Sequence, residues 1–351
     1  MADREFWRGR RVLVTGHTGF KGSWLATWLI DLGARVYGIG LAPESQPSLF
    51  DLNGLSGRLD HVLGDVRLGE ATKAVIRRAA PEIVFHMAAQ AIVRQGLREP
   101  AVTFETNVMG TVRLLEAIRD ATSVRAVVII TSDKCYGEPV PRLGYSEDDP
   151  LGGRDPYSAS KGCQEIVAHA YRQSYLPGRL ATARAGNVIG GGDWAMDRVV
   201  PDAVRALQEN RPLQLRNPHA VRPWQHVVDP LGGYLRLAER LYAGDPVDRA
   251  WNFGPAESAG ATVAELVGHL HEKWGRGSWA MVADANASKE APVLRLDASR
   301  ARAQLGWEPR FALDQAVRMT VDWYRGVLEM QQDPFELTCL QTRAYDEAEN
   351  T

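Results

Sequence analysis

The chain has 351 residues, 45% of them hydrophobic, and carries 41 Lys and Arg against 43 Asp and Glu, a net charge of −2. That near balance argues against a nucleic-acid or membrane-surface protein, and the length suits two domains, or one with an appended lobe. Three cysteines, Cys135, Cys163 and Cys339, are too few for a disulfide framework and fit a reducing compartment.

Residues 1–11 are charged and lack the apolar core of a signal peptide. No apolar run reaches the roughly 18 residues of a membrane span. A soluble, cytoplasmic protein without a membrane partner is expected. No paired-cysteine spacing suggests a metal site.

In chain order, Arg11 to Thr15 holds a short apolar run suited to a buried parallel strand. Trp24, Leu25, Trp28, Leu29 and Leu32 then make a helical stripe, and Gly33 is a natural stop. Arg35 to Ile39 predicts a second strand and His61 to Val66 a third. Ala71 to Ala80 predicts a helix, and Glu82 to Met87 a fourth strand. Pro100 opens a helix running to about Asp120. Ala126 to Ile130 is the most strand-like segment. Tyr157 to Tyr175 predicts a long helix and Leu180 to Val188 another strand. After the loop 190–194 the chain mixes short segments with prolines. Asp229 to Tyr242 (helix) and Ala250 to Phe253 (strand) then return to the sheet.

Strands alternating with helices predict an α/β fold, a Rossmann-like doubly wound parallel sheet. The expected dinucleotide-binding domain spans 7–190 plus about 226–256. A smaller, mostly C-terminal α/β substrate lobe is expected over about 191–225 plus 257–332, and a loosely ordered polar tail over 333–351.

Gly16, Gly19 and Gly22 lie between a strand and a helix, the context that makes a glycine triplet a dinucleotide fingerprint. Gly16 permits the tight turn, Gly19 the approach of backbone to pyrophosphate, and Gly22 close helix–strand packing. His17 and Lys21 are unusual inside such a loop. Lys21 either neutralises phosphate or is solvated. The acid that reads the adenosine ribose should stand about 20 residues on. Gly38, Ile39, Gly40 and Leu41 occupy that stretch, so NAD and NADP are not distinguished there. Asp65 either accepts from the adenine amine or caps a turn.

Tyr157 and Lys161 are four apart, on one helical face. A tyrosine near its free pKa of about 10 is a poor base, and a nearby ammonium plus a positive nicotinamide favours phenolate. Ser132, at a strand end, is placed to hold a substrate hydroxyl. Asp133 and Lys134 follow it at once. They are either acid/base machinery that a simple dehydrogenase does not need, or a solvated turn. Asn187, Trp194, Arg198, Arg216, Arg222, Trp224 and His226 cluster in or beside the lobe, where arginines and aromatics suit a nucleotide base and diphosphate. Some of the tryptophans equally suit a core.

On Gly16–Gly22, Thr131–Tyr136, Asp155–Lys161, Gly186–Trp194 and Arg222–His226, the chain resembles the extended short-chain dehydrogenase/reductase family over about Phe6 to Gly326. Within that family it resembles the group of 4,6-dehydratases that act on CDP-glucose. Leu296-Asp297 and Leu305–Pro309 resemble the closing motif of extended members.

The resemblance implies a resident NAD. Its contacts would come from Gly16, His17, Thr18, Gly19, Phe20, Lys21, Gly22, Asp65, Val66, Ala88, Ala89, Gln90, Asn107, Thr131, Tyr157 and Lys161. The implied substrate is CDP-glucose or a related nucleotide hexose, held by Gln90 and the lobe cluster. Tyr157 takes the C4 hydroxyl proton, Asp133 assists departure of the C6 hydroxyl, and Lys134 replaces the glutamate base of the dTDP-glucose and GDP-mannose enzymes, as C5 base or enolate stabiliser. A homodimer or homotetramer is also implied. The rival reading is a nucleotide-sugar 4-epimerase, which uses Ser132, Tyr157 and Lys161 without an Asp-Lys pair.

Overall fold

A computed structural model describes residues 2–138, 144–255, 260–283 and 293–348. Its frame is a seven-stranded parallel sheet: β1 (Arg11–Thr15), β2 (Arg35–Gly40), β3 (Asp60–Leu63), β4 (Ile83–His86), β5 (Ala126–Ile130), β6 (Leu180–Ala185) and β7 (Ala250–Phe253). The spatial order is β7-β6-β5-β4-β1-β2-β3. The winding reverses between β1 and β4, so ligands are expected in the crevice at the carboxyl ends of those strands. Thr15 lies beside His86, and His86 beside Ile129, which brings three strand ends to that crevice.

Alternation along β1 separates two cores. Val12 and Val14 face one side with Trp24, Trp28, Trp251 and Trp323. Leu13 faces the other with Leu114, Leu115, Ile118 and Val127. Each layer buries what its helices present. Those helices include α1 (Phe20–Asp31), α2 (Gly69–Ala79), α3 (Gly110–Arg119), α4 (Pro156–Ser174), α5 (Val199–Gln208), α6 (Val228–Ala243), α7 (Val263–Trp274), α8 (Leu313–Leu328) and α9 (Pro334–Glu347).

Three expectations need correction. The third strand ends at Leu63, not at Val66. The segment 100–119 is not one uniform helix: Pro100–Phe104 passes through a π-turn, Glu105–Met109, before α3. Within that turn the Asn107 side chain faces inward, bonded to the Gln90 backbone and the Ser160 hydroxyl. The third correction concerns the tail, where 334–347 is a docked helix rather than a loose segment. Asp333 caps it, Pro334 opens it, and Phe335, Cys339 and Tyr345 are buried. Arg343 pairs with Asp31, and the Trp28 indole donates to Asp346 at 3.3 Å. Residues 349–351 of that tail, and 284–292 of the expected lobe, lie outside the described residues.

Beyond β6 the chain builds small pairings: Leu213–Leu215 with Trp279–Met281, and Val221–Arg222 with Ala261–Thr262. A Thr262/Glu265 capping box starts α7. Among the described residues no helix is long and apolar enough to cross a membrane.

Candidate active site

The glycine loop is built as its spacing requires. Gly16 sits at φ 72°, and a Cβ there would lie 2.7 Å from the Ala88 nitrogen. A Cβ on Gly22 would lie 2.1 Å from the Gly16 carbonyl, so neither position accepts a side chain. Helix α1 opens after Gly19 with no side-chain cap, leaving its first N–H groups for an anion. The loop borders a cleft of about 540 Å³, in the size range of small-molecule sites. These features fit a dinucleotide.

Gly16, Thr18, Gly19, Phe20, Lys21, Gly22, Asp65, Val66, Ala88, Ala89 and Thr131 all line the cleft. His17 does not. It is fully buried beneath the loop, edge-on to Phe50 and His61. Burial, then the neighbouring His61, lowers its pKa to about 4. This ring also accounts for the glycine where a ribose acid was sought: a Cβ on Gly38 would lie 2.6 Å from the His17 ring. Gln90 and Asn107 lie behind the cleft wall, bonded to each other. Asp65 is clasped by the Arg67 guanidinium at 2.8 and 2.6 Å, which holds its carboxyl below the usual range.

Strand β5 delivers Ser132, and α4 delivers Tyr157 and Lys161, to the same wall. The Ser132 hydroxyl donates to Asp133 Oδ1 at 3.0 Å and accepts from the Lys134 backbone nitrogen at 3.2 Å. Asp133 is only 4% exposed, and its Oδ2 has no protein partner. Burial pushes its carboxyl up, against the pull of Lys134, Ser132, Arg222 and Lys21. Such a group favours its protonated form and suits an acid. Lys134 lines the cleft beside it.

Burial pushes the Tyr157 phenol to about 12, with Ser132 and Arg198 opposing. Phenolate formation therefore needs a further positive charge, and oxidised nicotinamide carries one. Lys161 is lowered to about 8 by burial, while Glu165 supports its charge. Its Nζ donates to Ile130 O at 3.2 Å and Gln164 Oε1 at 2.9 Å.

Lys21 is half-buried at the cleft wall. Its Nζ donates to the Tyr234 hydroxyl at 3.0 Å, and burial plus the charges of Lys161 and Arg198 lower it to about 7.

On the lobe side, Asn187, Trp194, Arg198, Arg216, Arg222 and Trp224 line the cleft. Arg198 pairs with Asp193 at 3.1 Å. His226 is turned away. It is fully buried between Trp24 and Phe311, and desolvation keeps it neutral, with a pKa near 3. Its motif neighbours Arg222 and Trp224 face the cleft, so the motif was legible but not the direction of each side chain. Sequence reasoning missed Asp193, Asp197 and Arg94 at the cleft and Glu165 and Gln164 behind it. The Lys161 period signals the last two, which sit one turn further along the helix.

The family model for GDP-mannose 4,6 dehydratase matches residues 13–320. The chain is 47% identical over 334 residues to a CDP-glucose 4,6-dehydratase of Salmonella typhimurium, covering 93% of each. It is 27% identical over 331 residues to a dTDP-glucose 4,6-dehydratase of Xanthomonas campestris, covering 89% of this chain and 92% of that one. Among solved structures, it resembles a dTDP-glucose 4,6-dehydratase from Streptomyces venezuelae with NAD bound (TM-score 0.79, 27% identity, 93% and 99% of the chains). A UDP-glucose 4-epimerase from Thermotoga maritima matches equally well in shape (TM-score 0.79, 25% identity, 90% and 99%). A cleft at the switch point, its glycine loop, its Ser132–Tyr157–Lys161 wall and these matches agree: the chain belongs to the GDP-mannose 4,6 dehydratase family.

Proposed function

We propose that this chain is an NAD-dependent CDP-glucose 4,6-dehydratase, a hydro-lyase that forms CDP-4-keto-6-deoxy-glucose. The observation that carries the reading is the buried Asp133 carboxyl, hydrogen-bonded to Ser132 and biased toward its protonated form. A 4-epimerase has no use for an acid there. The 47% identity to a CDP-glucose enzyme supports the choice of nucleotide.

Bound NAD supplies the hydride acceptor for C4 and, later, the hydride donor for C6. Ser132 holds the C4 hydroxyl, and Tyr157 accepts its proton. The C4 ketone acidifies C5–H. Lys134 takes the C5 proton or holds the charge of the enolate. Asp133 gives its proton to the C6 hydroxyl, the C6–O bond breaks, and water leaves. Reduction at C6 and return of a proton to C5 complete the cycle, with one water lost and no net oxidation.

CDP-glucose deuterated at C4 tests the reading. The product should carry deuterium at C6 of the same molecule. A C4 epimer as the only product establishes the epimerase instead.

We further propose a cytoplasmic enzyme of deoxysugar biosynthesis, including that of lipopolysaccharide O-antigen, assembled as a homodimer or homotetramer. The unbridged cysteines support the compartment. Exposed Phe104, Met109, Ile166 and Tyr175, on or beside the 100–119 segment and α4, support pairing through those helices.

A further inference from the structure

Behind the catalytic wall runs a buried hydrogen-bond chain whose direction can be worked out atom by atom. Thr15, the last residue before the glycine loop, accepts from the backbone nitrogens of Met87 and Ala88, both at 3.1 Å. Those two bonds fill its acceptor sites, so its one hydroxyl proton goes to His86 Nδ1, 2.7 Å away. His86 must then carry its proton on Nε2 and donate it to Thr111 Oγ1 at 3.0 Å. Thr111 spends its own proton on the Asn107 carbonyl at 2.7 Å. Its remaining acceptor site takes the Gln164 amide at 2.7 Å. The Gln164 carbonyl is therefore forced toward Lys161, whose Nζ donates to it at 2.9 Å. Thr15, His86, Thr111 and Gln164 are all fully buried, where an unmade hydrogen bond costs far more than at the surface.

We propose that Gln164 is a positioning residue for Lys161, its carbonyl locked toward the ammonium by this one-way chain from the dinucleotide loop. Two of the three Lys161 N–H groups are thereby committed, to Ile130 and Gln164, and one is left for the cleft. The chain also favours the charged amine, since a carbonyl accepts from an ammonium more strongly than from a neutral amine. The groups that face Lys161 act as follows. Glu165, on the same helix, supports its charge, and Lys21 on α1 opposes it. Cys135, on the turn after Ser132, is pushed up by burial and stays a thiol. His86 on β4 is held neutral, with a pKa near 3.

The inference rests on the proposed reaction, in which Lys161 supports Tyr157. The test compares the pH dependence of the first hydride transfer from CDP-glucose, read as reduction of the bound nicotinamide before Asp133 acts, in Gln164→Met and Gln164→Glu. Removing the carbonyl lowers the Lys161 pKa, so the alkaline limb of that rate should move down by about one pH unit, a tenfold loss at alkaline pH. A carboxylate at the same position should move that limb up, with the substrate KM little changed in both. A residue that served packing alone would depress the whole profile without moving its limb.

Should Gln164→Met fail to fold, Thr111→Val releases the same amide and should shift the limb down, and Thr111→Ser should restore it. Limbs that coincide with that of the unmodified enzyme overturn the positioning role. An unmodified enzyme that does not convert CDP-glucose overturns the proposed reaction instead, so the two failures are distinguishable.

Discussion

Glu165 and Arg184 form an ion pair at 2.8 Å with side chains 3% and 4% exposed, behind the cleft wall that carries Ser132. The other carboxylate oxygen accepts from Thr131, the residue before Ser132, and Thr182 bonds the shared one. One carboxylate thus ties β5, β6 and α4 together. Burial pushes its carboxyl up, but Arg184 and the two threonine hydroxyls outweigh burial and hold it below the usual range.

Removing one partner alone leaves a buried charge uncompensated. Arg184→Met is expected to destabilise the protein by about 3–5 kcal/mol, whereas a double change of Arg184 and Glu165 to apolar residues should cost much less. Denaturant unfolding of the three proteins checks this, and equal losses in single and double variants would contradict it. Because the folded pKa of Glu165 is depressed, the pair's contribution is present above the unfolded carboxylate pKa. It fades as pH falls through the lower folded value.

Tyr157→Phe keeps the ring and removes the proton acceptor. General-base catalysis contributes roughly 10²–10⁴-fold, so turnover should fall by that order while cofactor binding persists. Fluorescence titration with NAD beside a turnover assay separates the two. Near-normal turnover would remove Tyr157 from the reaction.

Asp133→Asn and Lys134→Met act after the first oxidation. Both variants should reduce bound nicotinamide when substrate is added and then stall, which appears as lasting absorbance of reduced cofactor with little keto-sugar. Asp133 must be protonated to act, and its pKa is raised, so elimination should slow as pH rises through that value. If neither variant reduces cofactor, the pair serves binding or the first step.

The oligomer is checked by light scattering. The intact chain should show at least twice the single-chain mass at micromolar concentration, and Ile166→Glu, a charge on an exposed apolar position of α4, should shift it toward monomer. A monomer in both cases contradicts the proposed assembly.

The sheet was legible because buried parallel strands are short continuous apolar runs, and Val12–Val14 and Ala126–Ile130 are such runs. Ser132, Tyr157 and Lys161 were legible because their spacing is local. His17, Gln90, Asn107 and His226 were harder. Each stands in or beside a motif, but which way its side chain turns is decided by tertiary neighbours: Phe50 and His61 for His17, Trp24 and Phe311 for His226. The docked α9 was missed for a related reason. Its composition is polar, and only the spacing of Phe335, Cys339 and Tyr345 marks an inward face.

Asp197 spans the mouth of the cleft. Its Oδ1 lies 2.8 Å from Arg216 on the lobe and 3.8 Å from Arg94 on the sheet side, and its backbone stands at φ 63°. That left-handed conformation is sparsely populated by residues other than glycine and is often found at functional sites. Both pairs are about a third exposed, so their contribution to stability is about 1 kcal/mol at most. Their contribution to binding differs on the proposed function, in which a diphosphate entering the cleft would compete with this carboxylate for Arg216. Asp197→Asn should therefore leave the melting temperature nearly unchanged and tighten the binding of CDP several-fold, more so at low salt, where exposed charges are least screened. Calorimetric titration of CDP at two ionic strengths checks both parts. Weaker binding in the variant would show that Asp197 holds the ligand rather than competing with it.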